Sequence, residues 1–389
     1  MSELREVTEE LCRAVDGVDW EASVVEACVR RIHALGRGAS PDVLDDALEP
    51  LAARLERARV EDGDGVAHAA ISAGSLVEFG ARPASLANVL LRKLSAVLEA
   101  ARVFADRCIA EIGDPDHAWE AVDAQPELLI AEVDGLPIAR PLFRRMLAGN
   151  RGGGCALAYL EQWTLPTVAA LTRDRERLAC AVADATLVER AGVLRRSAAH
   201  WLSVLLAVQL DAPWRVLCPA NGRGFELRVD GVCTGFDLHA LVADALVAEG
   251  VPGQSNPRDV IEVVRGLRER SRQGFVKGSF DFHTFRAAGD LAAGRPVGFG
   301  NASWNEGLAT DIPVWREMRT LLALPPQIAR TWNAGRPFSA LTASVEVVRR
   351  MDEGEAGGSG TVCSSLATLL REHPGHRDCL RGGFAGSAR

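Results

Sequence analysis

The tetrapeptide Trp-Asn-x-Gly occurs twice in the last quarter of the chain, beginning at Trp304 and at Trp332. Asn followed closely by Gly tolerates the backbone conformations of tight turns. Each copy is therefore predicted to be a turn that holds an indole ring in a fixed place. We expect the two rings to flank one cleft and to contact a substrate there. The alternative is that both turns are aromatic corners that attach long loops to a sheet.

Charged residues accompany both turns. Glu306 and Asp311 follow the first tryptophan on one loop, where a carboxylate can act as a general acid or base. Arg336 follows the second tryptophan, and its planar guanidinium can bind a substrate carboxylate or phosphate. A catalytic role is therefore predicted for Glu306 and Asp311. Substrate binding is predicted for Trp304, Trp332 and Arg336.

An aspartate and a histidine stand two residues apart in the segment 278–285. Alternation along a strand places Asp281 and His283 on one face, and Phe280 and Phe282 on the other, core-facing side. The polar pair can serve as an acid–base couple or as two metal ligands, and we predict both residues as catalytic. The alternative is a solvated sheet face with an incidental histidine. Because no third ligand accompanies the pair, we expect no tightly bound metal.

His239 lies near the start of a helix predicted over residues 237–249, directly after a glycine-bounded turn. The first turn of a helix carries unsatisfied N–H groups and the positive end of the helix dipole, so it can bind an anion. We therefore include His239 among the substrate-binding candidates. Many strand-to-helix turns share this pattern, and a purely structural role with Asp237 as a helix cap is the alternative.

The composition is that of an ordinary globular chain, with 389 residues of which 48% are hydrophobic and 25% charged. No apolar run is long enough to cross a bilayer, and the charged N-terminus lacks the apolar core of a signal peptide. The nine cysteines are odd in number and scattered, which favours a reduced cytosolic protein. We therefore expect a soluble cytoplasmic protein that does not bind membranes.

Charge differs between the two halves of the chain. Residues 1–210 carry 23 Lys or Arg and 32 Asp or Glu, a net of −9, while residues 211–389 carry 21 and 20, a net of +1; together these give −8. An acidic helical half argues against nucleic-acid binding, which needs a basic face. The neutral second half leaves room for an anionic ligand.

The elements that must position these residues follow two patterns. Over residues 1–210, apolar residues recur at helical spacing and strand signals are nearly absent, which predicts an irregular all-helical domain. Its predicted helices include a long one over residues 86–112 and one over 156–171 that is interrupted at Pro166. The expected helices follow no fixed repeat, which argues against a regular solenoid.

The second pattern begins near residue 213. Residues 225–230 alternate strictly between apolar and charged side chains and follow an Asn-Gly pair, which predicts a hairpin. A mainly antiparallel α+β domain is therefore predicted over residues 213–350, giving an α+β protein overall. Further strands are predicted at 279–285, 297–301, 316–324 and 343–349.

The C-terminal end of the chain has a different composition. Residues 352–361 are rich in glycine and predict a flexible linker. A short helix and a frayed tail are predicted over residues 362–389.

No complete catalytic or cofactor signature is present, whether a Rossmann glycine fingerprint, a Walker A loop or a Gly-x-Ser-x-Gly elbow. The aromatic and charged cluster in the second domain favours an enzyme of unfamiliar type that acts there on a small anionic or peptide substrate. The alternative is a non-catalytic binding or scaffold protein whose helical domain holds a peptide or protein partner. The sequence specifies no cofactor.

Overall fold

The chain forms two compact units, residues 1–206 and 207–389, here called the helical unit and the sheet unit. The computed structural model describes residues 2–16, 21–133, 135–194, 199–219, 221–253, 256–269, 276–277, 280–284, 302–304, 306–315, 317–326, 331–332 and 336–351. Helices dominate the first unit. Among the described residues of the second, strands form a main sheet and a separate strand pair together with two α-helices, which confirms the predicted α+β class.

Amphipathic helices build the helical unit and bury their apolar faces in its core. Several begin at an aspartate whose side chain accepts from the first free N–H groups, as Asp174 and Asp184 do. The described helices are α1 (Glu3–Asp16), α2 (Ala22–Gly36), α3 (Pro41–Arg57), α4 (Asp64–Phe79), α5 (Ala84–Ala110), α6 (Pro115–Ala124), α7 (Arg140–Leu147), α8 (Arg151–Ala158), α9 (Leu160–Leu171), α10 (Arg175–Ala183), α11 (Ala185–Val193) and α12 (His200–Leu206).

The helical unit differs from its prediction in two places. It contains an antiparallel hairpin of β1 (Leu129–Val133) and β2 (Leu136–Ala139), which was not predicted although the pair Asp134-Gly135 between the two apolar runs is a hairpin signal in the sequence. The helical stretch expected to break at Pro166 breaks instead at Tyr159, between α8 and α9. Pro166 lies inside α9, where its ring packs against Gly74 of α4, so close packing offsets the lost hydrogen bond.

The sheet unit opens with the predicted hairpin. Phe225, Leu227 and Val229 point into the core from the second strand, as the alternation indicates. The described elements are β3 (Ala212–Cys218), β4 (Arg223–Asp230), α13 (Gly235–Ala248), α14 (Arg258–Val264), β5 (Val276–Lys277), β6 (Asp281–Thr284), β7 (Val314–Trp315), β8 (Met318–Leu324), β9 (Thr331–Trp332) and β10 (Ser344–Met351).

The main sheet has the strand order β10-β4-β3-β8-β6, and β7 pairs with β8. All its described pairs are antiparallel except β3 with β8, and β5 pairs separately with β9. One face of the sheet packs against α13 and α14 in a shared apolar core that includes Val216, Phe282, Leu321 and Leu238. The strand predicted at 297–301 and the linker and tail predicted over 352–361 and 362–389 lie outside the described residues.

Candidate functional site

Three segments of the sheet unit meet at the N-terminus of α13. They are the turn of residues 232–235, the loop that comprises residues 302–304 and 306–312, and strand β6. Backbone hydrogen bonds join them: Gly235 N donates to Gly307 O (2.7 Å) and Ala309 N to Cys233 O (2.9 Å). Ser303 N also donates to Phe282 O (2.9 Å). The loop that carries the first Trp-Asn-x-Gly copy is therefore attached to the turn that precedes His239.

The two ends of the first Trp-Asn-x-Gly copy are joined by the hydrogen bond expected of a turn, and Asn305 between them lies outside the described residues. Gly307 N donates to Trp304 O at 3.1 Å, and the indole is 46% exposed beside the turn. In the second copy Trp332 belongs to β9 and pairs with Val276, but its side chain and residues 333–335 lie outside the described residues. That the two rings flank one cleft stays a prediction.

His239 and Ser303 form a buried side-chain pair. His239 Nε2 lies 2.9 Å from Ser303 Oγ, and each residue is only 5% exposed. The imidazole stacks on the Phe282 ring, with 4.6 Å between ring centroids and 29° between ring planes. The stack and the hydrogen bond together fix the orientation of the imidazole. A hydroxyl beside an oriented imidazole is the arrangement of a nucleophile and its base.

The turn before His239 is built by reciprocal capping. Thr234 Oγ1 accepts from Asp237 N (3.2 Å), and the Asp237 carboxyl accepts from Thr234 in return. Thr234 is therefore the N-cap of α13, and Asp237 is its partner three residues on. This places His239 in the second turn of the helix, facing β6.

A cleft of about 160 Å³ opens beside Ser303. Ser303, Thr284, Trp304 and Asp311 bring polar groups to its lining, which is completed by apolar atoms of the loop. A cleft this small holds one small group rather than a drug-sized ligand. The residues that line it are Thr284, Ala302, Ser303, Trp304, Gly307, Leu308, Asp311 and Ile312.

The two loop carboxylates differ in position. Asp311 Oδ2 accepts from Leu308 N at 2.8 Å and so closes the short helical turn Ala309–Asp311, while the residue also borders the cleft. Glu306 is exposed and is not among the described lining residues. Their catalytic roles stay predictions, and Asp311 has a structural task in addition.

Asp281 and His283 are buried, at 4% and 8% exposure, so the alternative of a solvated sheet face is wrong. Phe282, between them, faces the apolar core as expected. Alternation along β6 correctly separates the two faces, but it does not report whether the second face is covered. The segment that begins at Ala302 also bridges to His283 along the outer side of β6, so this strand is not a free edge.

A second set of buried polar groups surrounds the start of α13. Asp237 is 1% exposed, and its Oδ1 has no hydrogen-bond partner within the described residues. Burial raises the pKa of Asp237 to about 6, although the Arg336 charge and the Thr234 hydrogen bonds act in the opposite direction. Burial likewise lowers the pKa of Arg336 and raises that of the Cys233 thiol. Arg336 is thus electrostatically coupled to Asp237.

In the part of the chain that the structure describes, no three His, Cys, Asp or Glu side chains cluster closely enough to hold a metal ion. Nor does any helix among those same residues have the length and apolar character needed to cross a bilayer.

Comparison with known proteins identifies no relative. No family model matches the chain, and no curated protein or solved structure is significantly similar to it. Any activity must therefore be inferred from the residues of the site.

Sequence patterns located most parts of this region but not Ser303. The Trp-Asn-x-Gly turn marked the loop, and the glycine-bounded helix start marked His239. Ser303 stands next to Trp304, yet 64 positions separate it from the histidine that contacts it. No local motif links the two, because their contact arises from the way α13, β6 and the loop pack together.

Proposed function

We propose that the sheet unit is an acyl-transfer enzyme that hydrolyses small esters or amides, with Ser303 as nucleophile and His239 as its general base. The observation that carries the proposal is the 2.9 Å contact between His239 Nε2 and Ser303 Oγ beside a cleft. A serine hydroxyl is a weak nucleophile until a base within hydrogen-bond reach takes its proton. This pairing of hydroxyl and imidazole recurs on unrelated folds, so it is recognised by geometry rather than by sequence order.

The reaction has two steps, acylation of Ser303 and hydrolysis of the acyl ester. Ser303 Oγ attacks the substrate carbonyl carbon while its proton passes to His239 Nε2, and the histidine then gives that proton to the departing alcohol or amine. The product of this step is an acyl ester on Ser303. A water molecule next attacks the acyl carbon, its proton passes to His239, and the Oγ–acyl bond breaks with return of the proton to Ser303. A carboxylic acid leaves, and the dyad is restored.

Neighbouring residues support distinct parts of this reaction. Phe282 orients the imidazole by stacking, which keeps Nε2 directed at Ser303. Trp304 supplies a large, partly exposed wall at the cleft that suits an apolar acyl group. Thr284 also lines the cleft, and we assign its hydroxyl as the donor that stabilises the negative charge developing on the carbonyl oxygen.

A fluorophosphonate probe tests the proposal without knowledge of the substrate, because it reacts covalently with activated serines. We expect one label on the peptide that contains Ser303, and none in Ser303→Ala. His239→Gln should slow labelling by about 100-fold or more, since a general base contributes that much. Matched controls are Ser344→Ala, on β10 away from the cleft, and His117→Gln, whose side chain is 82% exposed. Both should label at the rate of the unmodified chain.

Two outcomes would contradict the proposal. One is no reaction at Ser303 in the folded protein; the other is equal labelling rates with and without His239. In either case the dyad is a structural hydrogen bond. The chain would then be better described as a binding or scaffold protein that holds a peptide or protein partner.

A further inference from the structure

Two charged side chains near the start of α13 have buried polar atoms that make no hydrogen bond. Asp237 Oδ1, and both Nε and Nη1 of Arg336, are buried without a hydrogen-bond partner among the described residues. Leaving such groups without a hydrogen bond is costly, and more so for a charged group than for a neutral one. Neither residue lines the Trp304 cleft.

The surroundings of Arg336 make room for its guanidinium. Gly266, which follows α14 with a φ of +77°, lies directly under it, and a Cβ at this position would clash with Arg336 Nη1. The N-terminal turn of α13, where the helix dipole has its positive end, is also near, because the charges of Arg336 and Asp237 interact. Two buried nitrogens of Arg336 and a helix N-terminus thus lie close to one another, and both favour a negatively charged ligand group.

We propose that Arg336 and the N-terminal turn of α13 bind an oxyanion group, a carboxylate or a phosphate, of a small ligand at a site distinct from the Trp304 cleft. The oxyanion accepts from the guanidinium nitrogens that have no other partner. Asp237, when protonated, donates from its free carboxyl oxygen to the same group. This site stands independently of the Ser303–His239 chemistry.

The site is pH-dependent because Asp237 changes charge. With a pKa raised to about 6, Asp237 is neutral in mildly acidic solution and leaves the Arg336 charge for the ligand. Above that pH its carboxylate competes with the ligand for Arg336 and repels it. Two other groups lie near Asp237. Hydrogen bonds from Thr234 lower its pKa, and the pKa of the Cys233 thiol is raised, so that group stays neutral.

Isothermal titration calorimetry with sodium sulfate tests for this oxyanion site and its pH dependence, because sulfate keeps the same charge over the pH range used. Sodium acetate in a parallel titration separates a preference for carboxylate from one for a tetrahedral anion. With sodium chloride balancing ionic strength, we expect saturable binding that is about tenfold or more tighter near pH 5 than near pH 8. Arg336→Gln should abolish it, and Asp237→Asn should keep it while removing the pH dependence.

The matched control is Arg258→Gln, which removes a positive charge from a side chain that is 93% exposed and should leave binding unchanged. Absence of saturable binding of either anion by the unmodified protein would overturn the proposal, because water would then be what satisfies these atoms. Equal binding by Arg336→Gln would overturn it as well. If Arg336→Gln does not fold, the test is the pH dependence of anion binding. The same pH dependence in the unmodified protein and in Asp237→Asn would then overturn the proposal.

Discussion

At the scale of single residues, the candidate site depends on side chains that hold one another in place. His239 has its plane set by Phe282 and its Nε2 directed at Ser303. A buried imidazole with a fixed plane keeps one nitrogen aligned with the hydroxyl, which is what proton transfer requires. The candidate role of His239 therefore rests on its fixed orientation toward Ser303.

The stability of the protein should depend on pH through Asp237. Burial raises its pKa from the ordinary 3.8 to about 6, so the folded protein binds this proton more tightly than the unfolded chain does. The stabilisation of the folded protein by this bound proton is fully present below about pH 4 and is lost as the pH rises through about 6. The asparagine of Asp237→Asn does not titrate, so this variant does not lose stability in this way. The free energy of unfolding of the variant minus that of the unmodified protein should therefore increase by roughly 2 kcal/mol from about pH 4 to about pH 8.

Urea unfolding at a series of pH values measures this difference. Asp244→Asn is the matched control, because Asp244 lies on the same helix and pairs with Arg265 at 3.1 Å nearer the surface. Its profile should follow that of the unmodified protein in this range. Parallel profiles for the unmodified protein and Asp237→Asn would show that Asp237 carries no raised pKa.

At the scale of elements, one glycine determines how β4 leads into the turn before α13. Gly231 has a φ of +66°, its N–H donates to Gln209 O (2.7 Å), and a Cβ there would clash with Thr342 O just before β10. Three segments thus approach at a point that only glycine allows. The position of the turn, and through it of His239, depends on this contact.

Gly231→Ala should therefore destabilise the sheet unit by more than about 1 kcal/mol, because both the backbone conformation and the space oppose a side chain. Gly192→Ala is the matched control, since Gly192 lies inside α11 and an added methyl group there would contact no neighbouring residue. That variant should be neutral or stabilised by up to about 1 kcal/mol. Urea unfolding of both variants gives the comparison, and equal effects would contradict the structural role of Gly231.

Elements with a strong local pattern were predictable from the sequence, and contacts between elements were not. The strict alternation of residues 225–230 identified β4 and its buried face. The short strands β1 and β2 were missed, although the Asp134-Gly135 pair between their apolar runs is also a local hairpin signal. The burial of Asp281 and the pairing of Ser303 with His239 are set by tertiary packing, which local spacing does not report.

At the scale of the whole molecule, the candidate chemistry belongs to one of the two units. Every residue of the dyad and of the described cleft lies in residues 207–389, while the acidic excess lies in residues 1–210, with its net of 23 − 32 = −9. The near-neutral charge of the sheet unit suits a small ester, amide or anion, since no strong field of one sign repels it. The helical unit carries no part of the proposed reaction.

The central claim is that Ser303 becomes acylated with the help of His239, and rapid acid quenching after exposure to p-nitrophenyl acetate tests it most directly. Mass spectrometry of the digested full-length protein should then find an acetyl group on the peptide that contains Ser303 at early times, and its loss as the ester hydrolyses. His239→Gln should form it about 100-fold more slowly or worse. No acetyl group on Ser303 in the folded protein, or equal acetylation without His239, would contradict the account.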